Sequence, residues 1–419
     1  MVKTNDCRGP ARRRSISGMF NPQDPAFVQD PYPTYRALRE RAPVHFSEAL
    51  NGWMFTRHAD VQRVMNHPKI MRPPAGDMLL GRVPADVRTS LQAFERRLAT
   101  SMPFSNPPRH TRLRSVVAQA FNRDVAEGLR LRIQRRVQHL LDRLQDARRG
   151  ELLEDYGYQI PTWVIMELCG LPQEDLPMIK ELVTRITPII GQCLPTDDPA
   201  GAATTAAAAT EEFTVYLEGR IAEVRRSPRE DLLSRLVEAP LTADEITLTV
   251  LILIIAGTET TTHYITNAIH TLLRHPRQLR MLRDDPWLIE RAAVELLRFE
   301  GPVPFLTPEI VSESVVIGGV ELQPGELVYA VIGAANRDPQ QFFAPEELDL
   351  TRPIGGVLSF GGGIHFCIGR HLAQMEAQIA ISAIVRRFPK LRHDDAEPVP
   401  VWRADPILRG LTALPVITC

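Results

Sequence analysis

Cysteine is scarce in this 419-residue chain, and no two cysteines stand as a C-x-x-C pair. The five, at positions 7, 169, 193, 367 and 419, form an odd, sparse set that argues for reduced thiols in a cytosol. No cysteine cluster is present for an iron–sulfur centre, and no segment is left over for a flavin domain. A formal net charge of −1 gives no reason to expect a nucleic-acid partner. No run approaches the ~20 apolar residues that a membrane span needs. The N-terminus carries Lys3, Arg8, Arg12, Arg13 and Arg14 but no apolar stretch of the secretory kind. Residues 1–20 read as a disordered basic leader, with an organelle-targeting peptide as the alternative. No internal repeat or convincing linker appears.

What is present suits a globular protein with a large core: 44% of residues are hydrophobic and 24% charged. Length alone would suggest two or three domains. The candidate site residues come from most of the chain, however, so residues 21–419 are taken as one domain. Helical periodicity covers Pro33–Arg41, Ala59–Asn66, Thr111–Phe121, Val125–Arg148, Tyr158–Cys169 (ending at Gly170), Arg277–Arg283, Trp287–Phe299 and Cys367–Phe388. The Ala- and Thr-rich stretch from Gly201 opens another helix, after a loop bounded by Pro195 and Pro199. Strand signals are few. Val315–Ile317 and Val320–Leu322 flank Gly318-Gly319 as a hairpin, Leu327–Ile332 follows Pro324-Gly325, and Arg409 to Val416 reads as a last strand. The expected fold is mainly α with small β-sheets.

The densest chemical signal is Phe360-Gly361-Gly362-Gly363-Ile364-His365-Phe366-Cys367-Ile368-Gly369. Gly361 and Gly363 permit backbone angles closed to other residues and let the chain approach a flat ligand. Cys367 stands near the start of the next helix, where orphan N–H groups and the helix dipole favour a thiolate. Gly369 leaves room beneath whatever the sulfur binds. A lone cysteine beside a glycine turn would more simply be a buried core residue. The whole pattern, at this composition, would arise by chance in about one such chain in a million.

A second signal is a long central helix. Thr242-x-x-Glu245 is a capping-box signature, and helical spacing from Ala243 continues to about Arg274, a rod of roughly 50 Å at ~1.5 Å per residue. Val250 to Ala256 is almost wholly apolar, and then Thr258-Glu259-Thr260-Thr261-Thr262 interrupts it. Thr is a poor helix former and an unpaired buried carboxylate is costly. The run is either a turn between two shorter helices or a local opening of one helix over a reaction pocket, with Thr hydroxyls bonded back to carbonyls.

Two paired motifs are weak alone. Glu295 and Arg298 share a helix face at i,i+3, as do His110 and Arg114 at i,i+4. In isolation the first is a solvated ion pair and the second a solvated basic patch.

Together these elements resemble the cytochrome P-450 family. The cysteine decapeptide matches its haem loop, F-G-x-G-x-H-x-C-x-G, at every fixed position. Ala256-Gly257-Thr258-Glu259-Thr260-Thr261 resembles its A-G-x-[DE]-T-T element, and Glu295-Leu296-Leu297-Arg298 its E-x-x-R. Asp30-Pro31-Tyr32-Pro33, Asn336-Arg337-Asp338-Pro339 and Leu414-Pro415-Val416 match in order, so the resemblance covers nearly the whole chain. It implies Cys367 as the axial thiolate of haem b iron and Glu259 with Thr260 as the acid and alcohol that deliver protons during O2 activation. Ala256, Phe360, Gly361 and Gly369 would then lie against the cofactor, and His110, Arg114 and His365 would hold its propionates. Glu295, Arg298 and Arg352 would form a buried structural ion-pair group. One position departs from the pattern. Where the family supplies an arginine to a propionate ahead of the hairpin, this chain has Glu309. Either the local backbone differs, or another cation compensates, or Glu309 faces the substrate pocket or a bound cation.

The implied function is O2-dependent hydroxylation or epoxidation of a lipophilic small molecule of secondary metabolism. Electrons would come from NAD(P)H through a separate ferredoxin and ferredoxin reductase, docking near Arg370 and His371. The protein is expected to be a soluble, cytoplasmic monomer of the bacterial type, with no membrane or nucleic-acid partner. Ile252, Ile255, Val303, Phe305 and Leu408 are the expected pocket lining. Two other readings use the same haem: peroxide-driven oxidation or radical coupling, and a haem-binding sensor or carrier without turnover.

Overall fold

The computed structural model of the chain describes residues 20–189, 198–405 and 407–419. The basic leader up to residue 19, with Cys7, and also Cys193 and Pro195, lie outside the described residues.

The central helix Ala243–Arg274 is continuous through its threonine run, so the two-helix alternative does not hold. Its start is the capping box read from the sequence. Thr242 Oγ1 accepts from the Glu245 N–H at 3.2 Å, and Glu245 Oε2 accepts from the Thr242 N–H at 3.0 Å, satisfying two orphan donors at once. Among the described residues it is the one helix long and apolar enough to cross a membrane. However, 72% of its most apolar window is buried inside the protein, packed on helices Gln159–Cys169 and Arg370–Arg387. Each buried Leu or Ile side chain here, such as Leu251 and Ile254, contributes about 1.5–3 kcal/mol relative to exposure. The C-terminal helix Arg370–Arg387 packs in turn on Arg123–Ala147.

A five-stranded mixed sheet sits to one side, in the order Val44–Ser47, Gly52–Phe55, Leu327–Ala330, Glu309–Val311, Ile70–Met71. Gly52–Phe55 runs parallel to Leu327–Ala330, and the other neighbours are antiparallel. Arg149–Glu151, Pro415–Ile417 and Arg392–His393 make a three-stranded sheet, and Val315–Ile317 pairs with Val320–Leu322 in the expected hairpin.

Several expected boundaries move, each for a local reason. The strand from Leu327 ends at Ala330, because Val331 turns and Ile332 opens a short helix, Ile332–Ala335. The final strand starts at Pro415 rather than Arg409, whose buried side chain is committed to Glu300 through Nε, 2.5 Å from Oε1. The helix expected over Thr111–Phe121 spans Arg109–Val117 and tightens into a 3-10 turn, Ala118–Ala120. The last long helix begins at Arg370, leaving Cys367 in the loop before it.

Helix Ile289–Phe299 carries the buried ion-pair group. Arg298 Nε and Nη2 meet the two Glu295 oxygens at 2.7 and 2.8 Å, and Arg352 Nε lies 3.1 Å from both. Arg298 also donates to the carbonyls of Asn336, Pro345 and Glu347 at 2.9, 2.8 and 3.2 Å. A helix face is thereby tied to a loop some forty residues later. Removing one partner from such a buried pair strands the other charge. Glu295→Gln is therefore expected to cost about 3–5 kcal/mol, read as a fall in the urea midpoint. A loss below about 1 kcal/mol, the range of surface pairs, would contradict this.

Candidate active site

Three local choices shape the cysteine loop. Gly361 and Gly363 take φ of +73° and +58°, left-handed angles that disfavour any residue with a Cβ. The Cys367 N–H donates to the Phe360 carbonyl at 2.9 Å and closes the loop. The Gly363 N–H donates to Asn66 Oδ1 at 2.9 Å, pinning the loop to the end of helix His58–Asn66. Because the next helix starts three residues on, the N–H groups of Gly369 and Arg370 bond to the sulfur. Burial raises the Cys367 thiol above its ordinary range, while those two N–H groups and the charges of Arg114 and Arg370 pull it back. A metal bonded to the sulfur would finish the task, since coordination deprotonates a thiol outright.

The sulfur opens on a cavity of about 240 Å³. Phe360, Gly361 and His365 line one wall, and Ala256, Thr260 and Thr261 of the central helix line another. Thr260 Oγ1 donates back to the Ala256 carbonyl at 2.6 Å, the bond that lets a hydroxyl sit inside an apolar helix. Gly369 does not line this cavity; the nearest atoms a Cβ there would meet belong to the Phe121 ring, at 3.8 Å.

At the cavity's rim four nitrogen-bearing side chains converge. The His110 and His365 rings lie 4.4 Å apart, and the buried atoms His110 Nδ1 and His365 Nε2 have no hydrogen-bond partner. Arg114 Nη2 donates to the Phe366 carbonyl at 2.6 Å, one residue before the sulfur. Arg72, which no sequence motif marked, reaches the cavity from the end of strand Ile70–Met71. Glu309 faces the same cavity with its carboxylate 3.6 Å from Arg72 Nη1. Of the options raised by its sequence, the structure displays two at once: a neighbouring cation in Arg72, and a Glu309 carboxylate that lines the cavity. Buried nitrogens without partners are costly, and here they stand beside a cavity into which a thiol opens. This donor set fits an anionic, planar, metal-bearing group, as haem with its two carboxylates is.

Glu259 does not share the cavity of its neighbour Thr260. It lines a second, polar cavity of about 550 Å³ with Tyr158, Lys180, His263, Arg403 and Asp405. Arg403 Nη1 stands 3.4 Å from Glu259 Oε2 and 3.1 Å from His263 Nε2, and His263 Nε2 is 3.8 Å from Glu259 Oε2. Burial, then the Arg403 charge, pushes His263 down to about 3, so the ring is neutral and its bare Nε2 accepts from Arg403. The ring fits only because residue 410 is glycine: a Cβ there would lie 2.1 Å from His263 Nδ1. Neither His263 nor Arg403 was singled out from the sequence. The one available signal was the i,i+4 spacing of Glu259 and His263.

The expected substrate lining divides. Val303 lines the cysteine cavity. Phe305 is instead buried among aromatics, its ring 5.8 Å from Phe20 and 6.0 Å from Tyr35. Ile255 turns into the main helical core, and Ile252 packs on a separate cluster with Phe94 and Leu248. Leu408 is buried at 8% exposure and lines neither the cysteine cavity nor the polar one. Position in the family pattern marked these segments, but the direction of each side chain is set by packing partners distant in sequence.

With this geometry in hand, the comparisons are specific. The family model for cytochrome P-450 matches residues 82–285 and 288–403. Cytochrome P-450 107B1 of Saccharopolyspora erythraea is 36% identical over 94% of this chain and 96% of its own length. The cytochrome P-450 monooxygenase PikC of Streptomyces venezuelae is 37% identical over 93% of this chain and 91% of its own. Among solved structures, P-450 BioI in complex with an acyl carrier protein ligated to hexadec-9Z-enoic acid superposes with a TM-score of 0.87 at 32% identity, covering 94% of this chain and 99% of that one.

The neutral His263 has a pH signature. Its folded value lies near 3 against an ordinary 6.5, so the unfolded ring binds a proton that the folded ring refuses. Its contribution to stability is complete above pH 6.5 and is lost as pH falls toward 3. His263→Gln keeps an acceptor for Arg403 but does not titrate. Its unfolding midpoint is expected to fall less steeply than wild type over that interval, and parallel curves would refute the assignment.

Proposed function

The chain belongs to the cytochrome P-450 family of haem monooxygenases, and from that membership we propose that Cys367 is the axial thiolate, that Glu259 and Thr260 route protons to the reaction side, and that the substrate is a lipophilic small molecule of secondary metabolism. The carrying observation is the Cys367 sulfur and the Thr260 hydroxyl lining one cavity rimmed by partnerless imidazole nitrogens. Thiolate-bound haem, with two electrons and two protons, places one atom of O2 in a C–H or C=C bond and releases the other as water.

The chain's own residues supply position and protons. Small Ala256 and the back-bonded Thr260 keep the helix wall low, so a substrate can lie against it. Glu259 collects a proton from the polar cavity while Arg403, itself seated on His263 Nε2, holds its carboxylate. Releasing Arg403 and turning about the helix brings that proton to Thr260 Oγ1, whose hydroxyl passes it inward. Separating the acid from the reaction cavity keeps bulk water out between turnovers. Apolar neighbours such as Val303 and Leu306 favour a lipophilic ligand, which agrees with the fatty acyl group named for the BioI complex.

Electrons enter from a separate ferredoxin and its reductase, fed by NAD(P)H. Their docking site is the face near Arg370, stacked 5.2 Å from the Phe366 ring centre, and the exposed His371. On this reading the protein is a cytoplasmic monomer.

The decisive measurement is the carbon-monoxide difference spectrum of the reduced protein. A haem-thiolate band is expected in wild type and not in Cys367→Ser; an unchanged band in the variant overturns the reading. With a ligand found by spin-state titration, Glu259→Gln is expected to slow turnover about 10²-fold with little change in affinity. Thr260→Ala should divert most electrons from product. Full activity on peroxide alone, insensitive to both changes, would favour a peroxygenase.

A further inference from the structure

Strand Ile70–Met71 pairs antiparallel with strand Glu309–Val311, with Ile70 opposite Val311 and Met71 opposite Ile310. One step further in the same register, Arg72 stands opposite Glu309. Both side chains are buried, at 9% and 10% exposure, and both line the cysteine cavity. Such an opposed pair is the natural unit of cross-strand interaction.

Arg72 is held in place from two directions. Its N–H donates to Asn106 Oδ1 at 3.0 Å, and its carbonyl accepts from Asn106 Nδ2 at 2.8 Å. Nη1 donates to Thr307 Oγ1 at 2.7 Å and to the Thr307 carbonyl at 3.2 Å. Nη1 is 3.6 Å from Glu309 Oε1, close enough for ionic attraction but longer than a good hydrogen bond. The guanidinium is thus fixed on the cavity wall rather than consumed by its carboxylate neighbour. Arg114 stands on the same rim with His110 and His365 beside it. Among the described residues, the guanidinium groups of Arg72 and Arg114 and the Glu309 carboxylate gather here, and both imidazoles present a buried nitrogen lacking a partner.

We propose that Arg72 is the positioning residue for a carboxylate of the bound haem, and that Glu309 serves as its cross-strand counter-charge. Position 309, which cannot hold a carboxylate itself, delegates the cation to the facing strand. The inference rests on the reading of Cys367 as the haem thiolate. A planar guanidinium suits this task because it grips a carboxylate along an edge while its other edge is anchored to protein.

The test measures haem transfer from holoprotein to excess apomyoglobin, using protein reconstituted with haem or with its dimethyl ester. Arg72→Gln is expected to speed haem release about tenfold or more, and ester release less than about twofold, because the ester has no charge to grip. The exchange of Arg72→Glu with Glu309→Arg in one chain is expected to bring haem release back to within about threefold of wild type. Haem release from Arg72→Gln at the wild-type rate overturns the proposal. So does an equal acceleration for haem and ester, which would mark a purely structural role. Should Arg72→Gln not fold, Arg72→Met, which also removes the charge, carries the same comparison and the same criterion. A wild-type protein without a haem-thiolate spectrum would overturn the Cys367 reading instead, a distinct failure.

Discussion

The buried Glu295–Arg298 pair is the anchor from which the cysteine loop hangs. Arg298 Nη1 donates to the carbonyl of Asn336, whose side chain then acts in both directions. Asn336 Oδ1 accepts from the Leu358 N–H at 2.9 Å, and its Nδ2 donates to Ser359 Oγ at 2.9 Å. Ser359 Oγ returns to the Leu297 carbonyl at 3.2 Å, on the same helix as the ion pair. Phe360 follows directly and closes the loop around Cys367. A charge pair with its desolvation already met by surrounding carbonyls is a stiff support, because any displacement exposes an uncompensated charge in a low-dielectric interior. A second buried group, in which Glu300 takes hydrogen bonds from Tyr32 and Arg409, locks the helix end to both chain extremities. Arg337 crosses the same junction, 3.3 Å from the centre of the Tyr32 ring.

The central helix then works as a partition. Adjacent residues differ by about 100° in direction on a helix of ~3.6 residues per turn, so Glu259 and Thr260 open on different spaces. The charged carboxylate stays where Arg403 and solvent-facing groups can stabilise it. On this helix wall only neutral side chains, among them Thr260 and Thr261, line the cavity above the sulfur. The wall thus carries no charge of its own there, although a carboxylate lies one residue away on the other side.

Much of this was legible from residues alone, and for identifiable reasons. The loop around Cys367, the capping box at Thr242 and the hairpin at Gly318-Gly319 are contiguous in sequence, so local chemistry fixes them. Glu295 and Arg298 are one helical turn apart, whereas Arg352 was named only through the family resemblance. What escaped is long-range. Arg72 meets Glu309 across 237 positions only because two very short strands pair, and neither strand has an alternation long enough to announce itself. Arg403 reaches Glu259 from the C-terminal segment, with no spacing rule to connect them. Phe305 was expected in the pocket from its position beside Val303, but its ring is taken up by the aromatic cluster with Phe20 and Tyr35. The start of the last helix was read too early because Cys367 and Ile368 continue its apolar spacing. The Cys367 N–H closes the loop on Phe360, and the backbone N–H groups of Gly369 and Arg370 favour charge on the sulfur instead.

The fit between the imidazole at position 263 and the bare backbone at 410 binds two distant sites into one historical choice. While the ring is present, even a methyl group on the C-terminal segment is barred, since it would overlap the ring. Exchange at 410 becomes open only after the helix position has first given up its ring. Drift at these two places must therefore run in a fixed order, with the helix leading.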